Sequence, residues 1–165
     1  MRVLGIDPGS NITGYGILEN KGGVMRHIDN GSIAPRAKLS FPKRLSIIYD
    51  ELTELIERFC PNAVAIENVF VAKNVRSSLI LGHVRGVAML AAASSGIEIG
   101  EYTPAQVKIA ITGSGRASKE QIQSMVRAIL RLPETACEDA SDALAVAICH
   151  CNSTALRNKI KKHQV

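Results

Sequence analysis

Ala63-Val64-Ala65-Ile66-Glu67 is an unbroken apolar run closed by an acid. A strand apolar at every position is buried on both faces, which is the mark of a parallel sheet covered by helices on each side. Residues 2–7 repeat the pattern, with Val3-Leu4-Gly5-Ile6 ending on Asp7. Between these two runs, Pro8-Gly9-Ser10-Asn11 reads as a turn. Strands over 13–19 and 24–34 follow, joined by the hairpin signal Asn20-Lys21-Gly22-Gly23. Residues 35–42 read as a loop. Leu45, Ile48, Leu52, Leu55, Ile56 and Phe59 recur at helical spacing until Cys60-Pro61 stops them.

Downstream, 68–74 reads as a loop and 75–93 as a long helix, with a last strand over 97–102. Thr103 caps a short helix begun by Pro104 and running to about 111. Residues 112–116 form a glycine-containing basic loop. Ser118 and Gln121 make a capping box for a helix ending near Leu132-Pro133, and a final helix spans 137 to about 155. The order is an initial meander followed by βαβ crossovers. It predicts an α/β fold with a mixed five-stranded sheet, parallel in its later half, and helices on both faces.

With 165 residues, the expected organisation is one domain over 1–155 and a basic tail over 156–165, carrying Arg157, Lys159, Lys161 and Lys162. There is no Trp and only three Phe and three Tyr, so Ala, Val, Ile and Leu must build the core. A net charge of +5 and a sequence pI of about 9.2 favour a polyanionic partner. The apolar run at the N-terminus is too short for a signal peptide. The stretch 75–95 carries Arg76, His83 and Arg85, which makes it a poor membrane span. The four cysteines show no paired framework, and Cys149 and Cys151, two apart on a helix, point to nearly opposite faces and cannot share one zinc. A reduced, cytoplasmic protein is the expectation.

The acids are the chemical signal. If the strands ending in Asp7 and Glu67 are parallel neighbours, their ~4.8 Å spacing puts both carboxylates side by side beyond the carboxyl ends of the sheet. Asp139 and Asp142 interrupt the apolar series Ala140, Ala143, Leu144, Ala145, Val146. Three residues turn a helix by ~300°, so these two share a face, as do Glu138 and Asp142. Each acid alone has a plainer reading as a turn residue, a loop-edge carboxylate or a favourable helix N-terminal charge. Together they form a pocket of like charges that would mostly protonate unless a cation neutralised them. All-oxygen ligation suits Mg²⁺, with Mn²⁺ able to substitute. Two such ions ~4 Å apart can clamp the attacking and leaving oxygens of a phosphodiester. His150 lies ~16 Å along the helix from Asp139 and is read as a packing residue.

At these residues the chain resembles the RuvC family of Holliday junction resolvases, within the ribonuclease H-like superfamily. The matching stretches are Gly5-Ile6-Asp7-Pro8-Gly9-Ser10 with Thr13-Gly14-Tyr15-Gly16, then Ala65-Ile66-Glu67-Asn68-Val69-Phe70, and Asp139-Ala140-Ser141-Asp142-Ala143-Leu144-Ala145. Ala72-Lys73-Asn74 and Thr103-Pro104-Ala105-Gln106-Val107-Lys108 are also similar. The resemblance covers about residues 2–151 and implies a ribonuclease H-like sheet. It places the four metal-binding acids at Asp7, Glu67, Asp139 and Asp142, with two Mg²⁺ per site and Asp7 between them. It further implies a homodimer that makes paired nicks in opposed strands of four-way DNA junctions, leaving 5′-phosphate and 3′-hydroxyl ends. The RuvA junction-binding protein and the RuvB motor are the implied partners.

Phe70, on a loop with Lys73, Asn74 and Arg76, is similar to a family aromatic that stacks on unpaired bases, a contact worth ~1–3 kcal/mol per base. Lys108 and Lys119 match basic family positions that face phosphate, and Arg116 joins them on loop composition. Gly82 and Gly86, flanked by Leu79, Val87, Leu90 and Ala93, mark a helix face open to close packing with a second copy. An actin-like ATPase would need a second similar domain to close over its nucleotide. A non-catalytic relative would be expected to lack one of the four acids.

Overall fold

The computed structural model describes residues 1–68 and 75–163, the side chains of 158–163 excepted. Five strands form one sheet: β1 (Arg2–Asp7), β2 (Thr13–Lys21), β3 (Val24–Ile33), β4 (Ala63–Glu67) and β5 (Glu98–Tyr102). Their order is β3-β2-β1-β4-β5, with β1–β2 and β2–β3 antiparallel and β1–β4 and β4–β5 parallel. The mixed sheet expected from the sequence is therefore present.

Among the described residues five helices cover it: α1 (Phe41–Phe59), α2 (Val75–Ser94), α3 (Pro104–Thr112), α4 (Lys119–Leu130) and α5 (Glu138–His163). Strand alternation sorts the core into two layers. Leu4 and Ile6 of β1, with Val64 and Ile66 of β4, face Ile48, Leu52 and Ile56 of α1 and Val84 and Ala88 of α2. Val3 and Ala65 point the other way, into a cluster with Val107, Ile122, Val126, Leu144 and Ile148 of α3, α4 and α5. Asp7 shares the parity of Val3, and Glu67 that of Ala65. Both acids are thus aimed at the α5 side of the sheet.

Close backbone approach seats α5 there. A Cβ on Gly5 would lie 2.1 Å from the Ala143 carbonyl oxygen, and one on Gly14 would lie 2.0 Å from that of Asp139. Only glycine at these two positions lets the helix rest on the sheet. Gly14 is the cross-strand partner of Asp7, so the contact that seats the helix also delivers Asp139 beside Asp7.

Several boundaries differ from expectation. α1 begins at Phe41, inside the expected loop, because Pro42 fits a first turn where its missing N–H is not needed. α5 continues to His163 instead of ending near residue 155, so the basic tail is a prolongation of a helix already nucleated on the core. Thr103 caps α3 as read, with Gln106 completing a capping box that was not expected, and the Ser118–Gln121 capping box forms as read. Among the described residues α2 alone is long and apolar enough to cross a membrane, yet Val84, Ala88, Ala91 and Ala92 are buried against the sheet.

Candidate metal centre

β1 and β4 run parallel with Ile6 opposite Ile66, so the next residues, Asp7 and Glu67, end the two strands side by side. α5 crosses above them and presents Asp139 and Asp142 from its first turns. Burial is the largest effect on Asp7. The charges of Glu67, Asp142 and Asp139 and a carboxyl hydrogen bond to Glu67 add to it, and its pKa rises from 3.8 to about 7. All three other acids therefore act on Asp7. Glu67 and Asp142 are likewise pushed upward, first by burial. A cation among these acids would offset both the burial and the mutual charge that raise their proton affinity.

Two lysines temper the field. Lys119 Nζ lies 3.1 Å from Asp142 Oδ2 and also bonds Glu138 Oε1. Burial disfavours its charge, but the two carboxylate bonds prevail and hold its pKa above the usual lysine value. Lys108 joins Lys119 in lowering Glu67. Glu67, Lys108, Lys119 and Asp142 line one cavity of about 210 Å³, with Pro104, Val107, Ile122 and Ala145 as its walls. As placed, no three His, Cys, Asp or Glu side chains among the described residues converge on one point. The donor set still fits a hard divalent cation, since every member is a carboxylate and several are partly buried.

A profile of the family described as "Crossover junction endodeoxyribonuclease RuvC" matches residues 3–150. The chain belongs to the RuvC family. It is 51% identical over 161 residues to a RuvC of Geotalea uraniireducens, covering 98% of this chain and 94% of that one. It is 55% identical over 150 residues to a RuvC of Syntrophotalea carbinolica, covering 91% and 93%. A solved structure, "T. thermophilus RuvC in complex with Holliday junction substrate", superposes with a TM-score of 0.87 at 34% identity, covering 92% of this chain and 93% of that one. The sheet and helix layers are those of the RuvC fold, a ribonuclease H-like arrangement.

Other expected contacts disperse around this RuvC site. Phe70, Lys73 and Asn74 lie outside the described residues. Arg76 stands exposed in the first turn of α2. Arg116 is not brought to the acids. It lines a separate groove of about 710 Å³ with Thr112, Ser114, Gln121 and Ser124, on the far side of α4. Glu138 is exposed and turned to Lys119, which leaves Asp139 as the acid over β2.

Two contacts were missed from sequence. The Tyr102 hydroxyl meets His150 Nδ1 at 3.0 Å in the core, with the rings edge-on at 5.8 Å. Tyr102 is the cross-strand partner of Glu67, so this pair ties the helix that carries Asp139 and Asp142 to the end of the sheet that carries Glu67. Arg44 of α1 donates from Nη2 to Ser10 O and to Asn11 Oδ1, in the loop just after Asp7. Neither contact has a spacing signal, because the partners are 48 and 33–34 residues apart.

Proposed function

We propose that the chain is a Holliday junction resolvase, a divalent-metal-dependent endodeoxyribonuclease that nicks opposed strands of four-way DNA junctions in recombination and repair. The observation that carries the site reading is that Asp7, at the end of β1, is acted on at once by Glu67 from β4 and by Asp142 and Asp139 from α5. We assign these four acids as the ligands, with Asp7 as the shared member and Mg²⁺ as the ion, Mn²⁺ substituting. When bound, the ions supply an activated water and charge stabilisation for the departing 3′ oxygen.

The chain's own residues prepare that chemistry. Asp7 and Glu67 give up the proton they share as the site fills. Lys119 and Lys108, on one cavity wall with Glu67 and Asp142, receive the phosphates flanking the scissile bond. Their charges draw a polyanion toward carboxylates that would otherwise repel it. The products are ends bearing 5′-phosphate and 3′-hydroxyl. Phe70, Lys73, Asn74, Arg76 and Arg116 are assigned to the junction arms by the family resemblance and loop composition.

Two symmetric nicks need two sites, which a twofold homodimer supplies. Leu79 and Leu90 are 60% and 56% exposed on α2, and added carbons at Gly82 and Gly86 would meet nothing within 4 Å. These glycines therefore do not pack on the sheet, and their face is available to a second copy. Cytoplasmic location and work with RuvA and RuvB complete the reading. The test is a synthetic four-way junction with Mg²⁺ beside linear duplex, using wild type and Asp7→Asn. Symmetric nicks on the junction are expected, and binding without cutting in the variant. Equal cutting of plain duplex would overturn the resolvase assignment, and full activity of Asp7→Asn the metal site.

A further inference from the structure

Arg44 sits in the first turn of α1, where a cation opposes the positive end of the helix dipole. That turn contains Lys43 and Arg44 and no acid. Helix stability therefore does not explain the residue, and its contacts do. Its Nη2 donates to Ser10 O and, at 2.8 Å, to Asn11 Oδ1. Its Nε is buried and meets no acceptor among the described residues. A half-buried guanidinium has thus been committed to one loop.

That loop, residues 8–12, joins the last residue of β1, Asp7, to the first of β2, Thr13. It is pinned a second time from inside, where the fully buried Thr13 donates from Oγ1 to Gly9 O at 2.8 Å. Thr13 fixes the Gly9 carbonyl and Arg44 fixes Ser10 and Asn11, so the chain leaving Asp7 has little freedom. Asn11 and Ile12 are exposed at its tip. No N–H of Gly9, Ser10 or Asn11 has an acceptor among the described residues.

We infer that Arg44 is a positioning residue for the metal-binding end of β1, holding the 8–12 loop so that Asp7 is presented to the cation and the scissile phosphate. The inference rests on Asp7 being a ligand. Arg44 itself touches no reacting group. One nitrogen donating to two acceptors is the feature that matters. Lysine can imitate it in part, because an ammonium also offers more than one N–H, but from a less rigid stem.

The test measures four things on wild type, Arg44→Met, Arg44→Lys, Asn11→Ala and the Arg44→Met/Asn11→Ala double variant. These are Mn²⁺ affinity by calorimetry without DNA, single-turnover junction cleavage, junction affinity in chelator, and melting temperature. Expected for Arg44→Met are about tenfold losses in both Mn²⁺ affinity and cleavage rate, with junction affinity within twofold of wild type, since sub-ångström displacement of a reacting group has effects of that order. Asn11→Ala, an exposed position that leaves the fold intact, is expected to lose about threefold. The double variant should match Arg44→Met, because the two side chains act through one bond. Arg44→Lys should recover most of the loss.

Mn²⁺ affinity and cleavage unchanged in Arg44→Met would overturn the inference. So would losses that follow junction affinity, losses additive with Asn11→Ala, or losses that follow melting temperature and are absent from Asn11→Ala. Asp7→Asn in parallel separates the two levels. Cutting that survives it overturns the site itself, whereas a working wild type indifferent to Arg44→Met overturns only the positioning role.

Discussion

Gly5→Ala adds one methyl group to β1 and is expected to damage a catalytic centre it does not belong to. The new carbon would stand 2.1 Å from the Ala143 carbonyl oxygen and 2.9 Å from Ala147 Cβ. To bring the first contact to even 3.0 Å, strand and helix must separate by about 0.9 Å. Ala143 follows Asp142 directly, so the displaced turn is the one carrying a proposed ligand. Overpacking of this kind costs about 1–3 kcal/mol, or roughly 2–12 °C in melting temperature for a chain of this size. A displacement near 1 Å at a reacting group costs up to ~10²-fold in rate, so a 10- to 100-fold loss of single-turnover cleavage is expected with junction affinity retained. Gly115→Ala is the control, since its added carbon would meet Ile109 Cγ1 at an ordinary 3.8 Å. Differential scanning fluorimetry and cleavage of a labelled junction read the two effects. Wild-type melting and wild-type cleavage in Gly5→Ala would refute the idea that backbone contact at Gly5 sets the height of α5.

In chelator, the stability difference between wild type and Asp7→Asn should depend on pH. Asp7 titrates near 3.8 unfolded and about 7 folded, so the native state holds the extra proton between those values. The stabilising contribution is complete below about pH 4 and is lost as pH rises through about 7. Thermal melts from pH 4 to 8 check it, and a flat difference would mean that burial and the neighbouring acids do not raise the Asp7 pKa. Tyr102→Phe removes the partner of His150 Nδ1 in the core and should cost ~1–3 kcal/mol, read as a lower urea midpoint at unchanged slope. Leu79→Arg with Leu90→Arg places charge on the open face of α2 and should give a folded particle of monomer mass, 17.7 kDa, by sedimentation. Lys119→Met frees Asp142 from its ammonium and should tighten Mn²⁺ binding without DNA by about tenfold, near the worth of one charge-assisted bond, while slowing cleavage.

Asp7 and Glu67 were legible because burial and chemistry are written in the same run: an apolar strand is recognisable alone, and an acid closing it is conspicuous. The alternation that buries Val3 and Ala65 toward α5 also fixes which face the acids take, so the site's orientation was implicit. The family resemblance selects Asp139 over Glu138, because both share a helical turn with Asp142 and spacing alone leaves them equal. The fold adds that the Asp139 backbone rests on Gly14, the cross-strand partner of Asp7. The end of α5 was misjudged because residues 156–163 lose the apolar pattern while the backbone, already helical, continues. Arg44 and the Tyr102–His150 pair were invisible for a different reason. Their partners are distant in sequence, and a single arginine or histidine has no period. Gly5, Gly14 and Gly16, which meet Ala143 and Ala147, Asp139, and Leu144 respectively, were the available clue that a helix would lie against β1 and β2.

The placement of the charges has a thermodynamic consequence. Four carboxylates and a phosphodiester have the same sign, so the protein alone presents a repulsive centre to its substrate. Lys108 and Lys119 offset part of that, but Lys119 is already engaged by Asp142 and Glu138, and its charge is spent on the acids before DNA arrives. A divalent cation among the carboxylates would change both sides at once, cancelling the repulsion and releasing the ammonium toward phosphate. Cation and junction must then favour each other's binding, and linkage makes the factor the same in both directions. On that reading, a junction bound in chelator would meet Lys119 still paired with Asp142, and one bound with the cation would meet a lysine free to face phosphate.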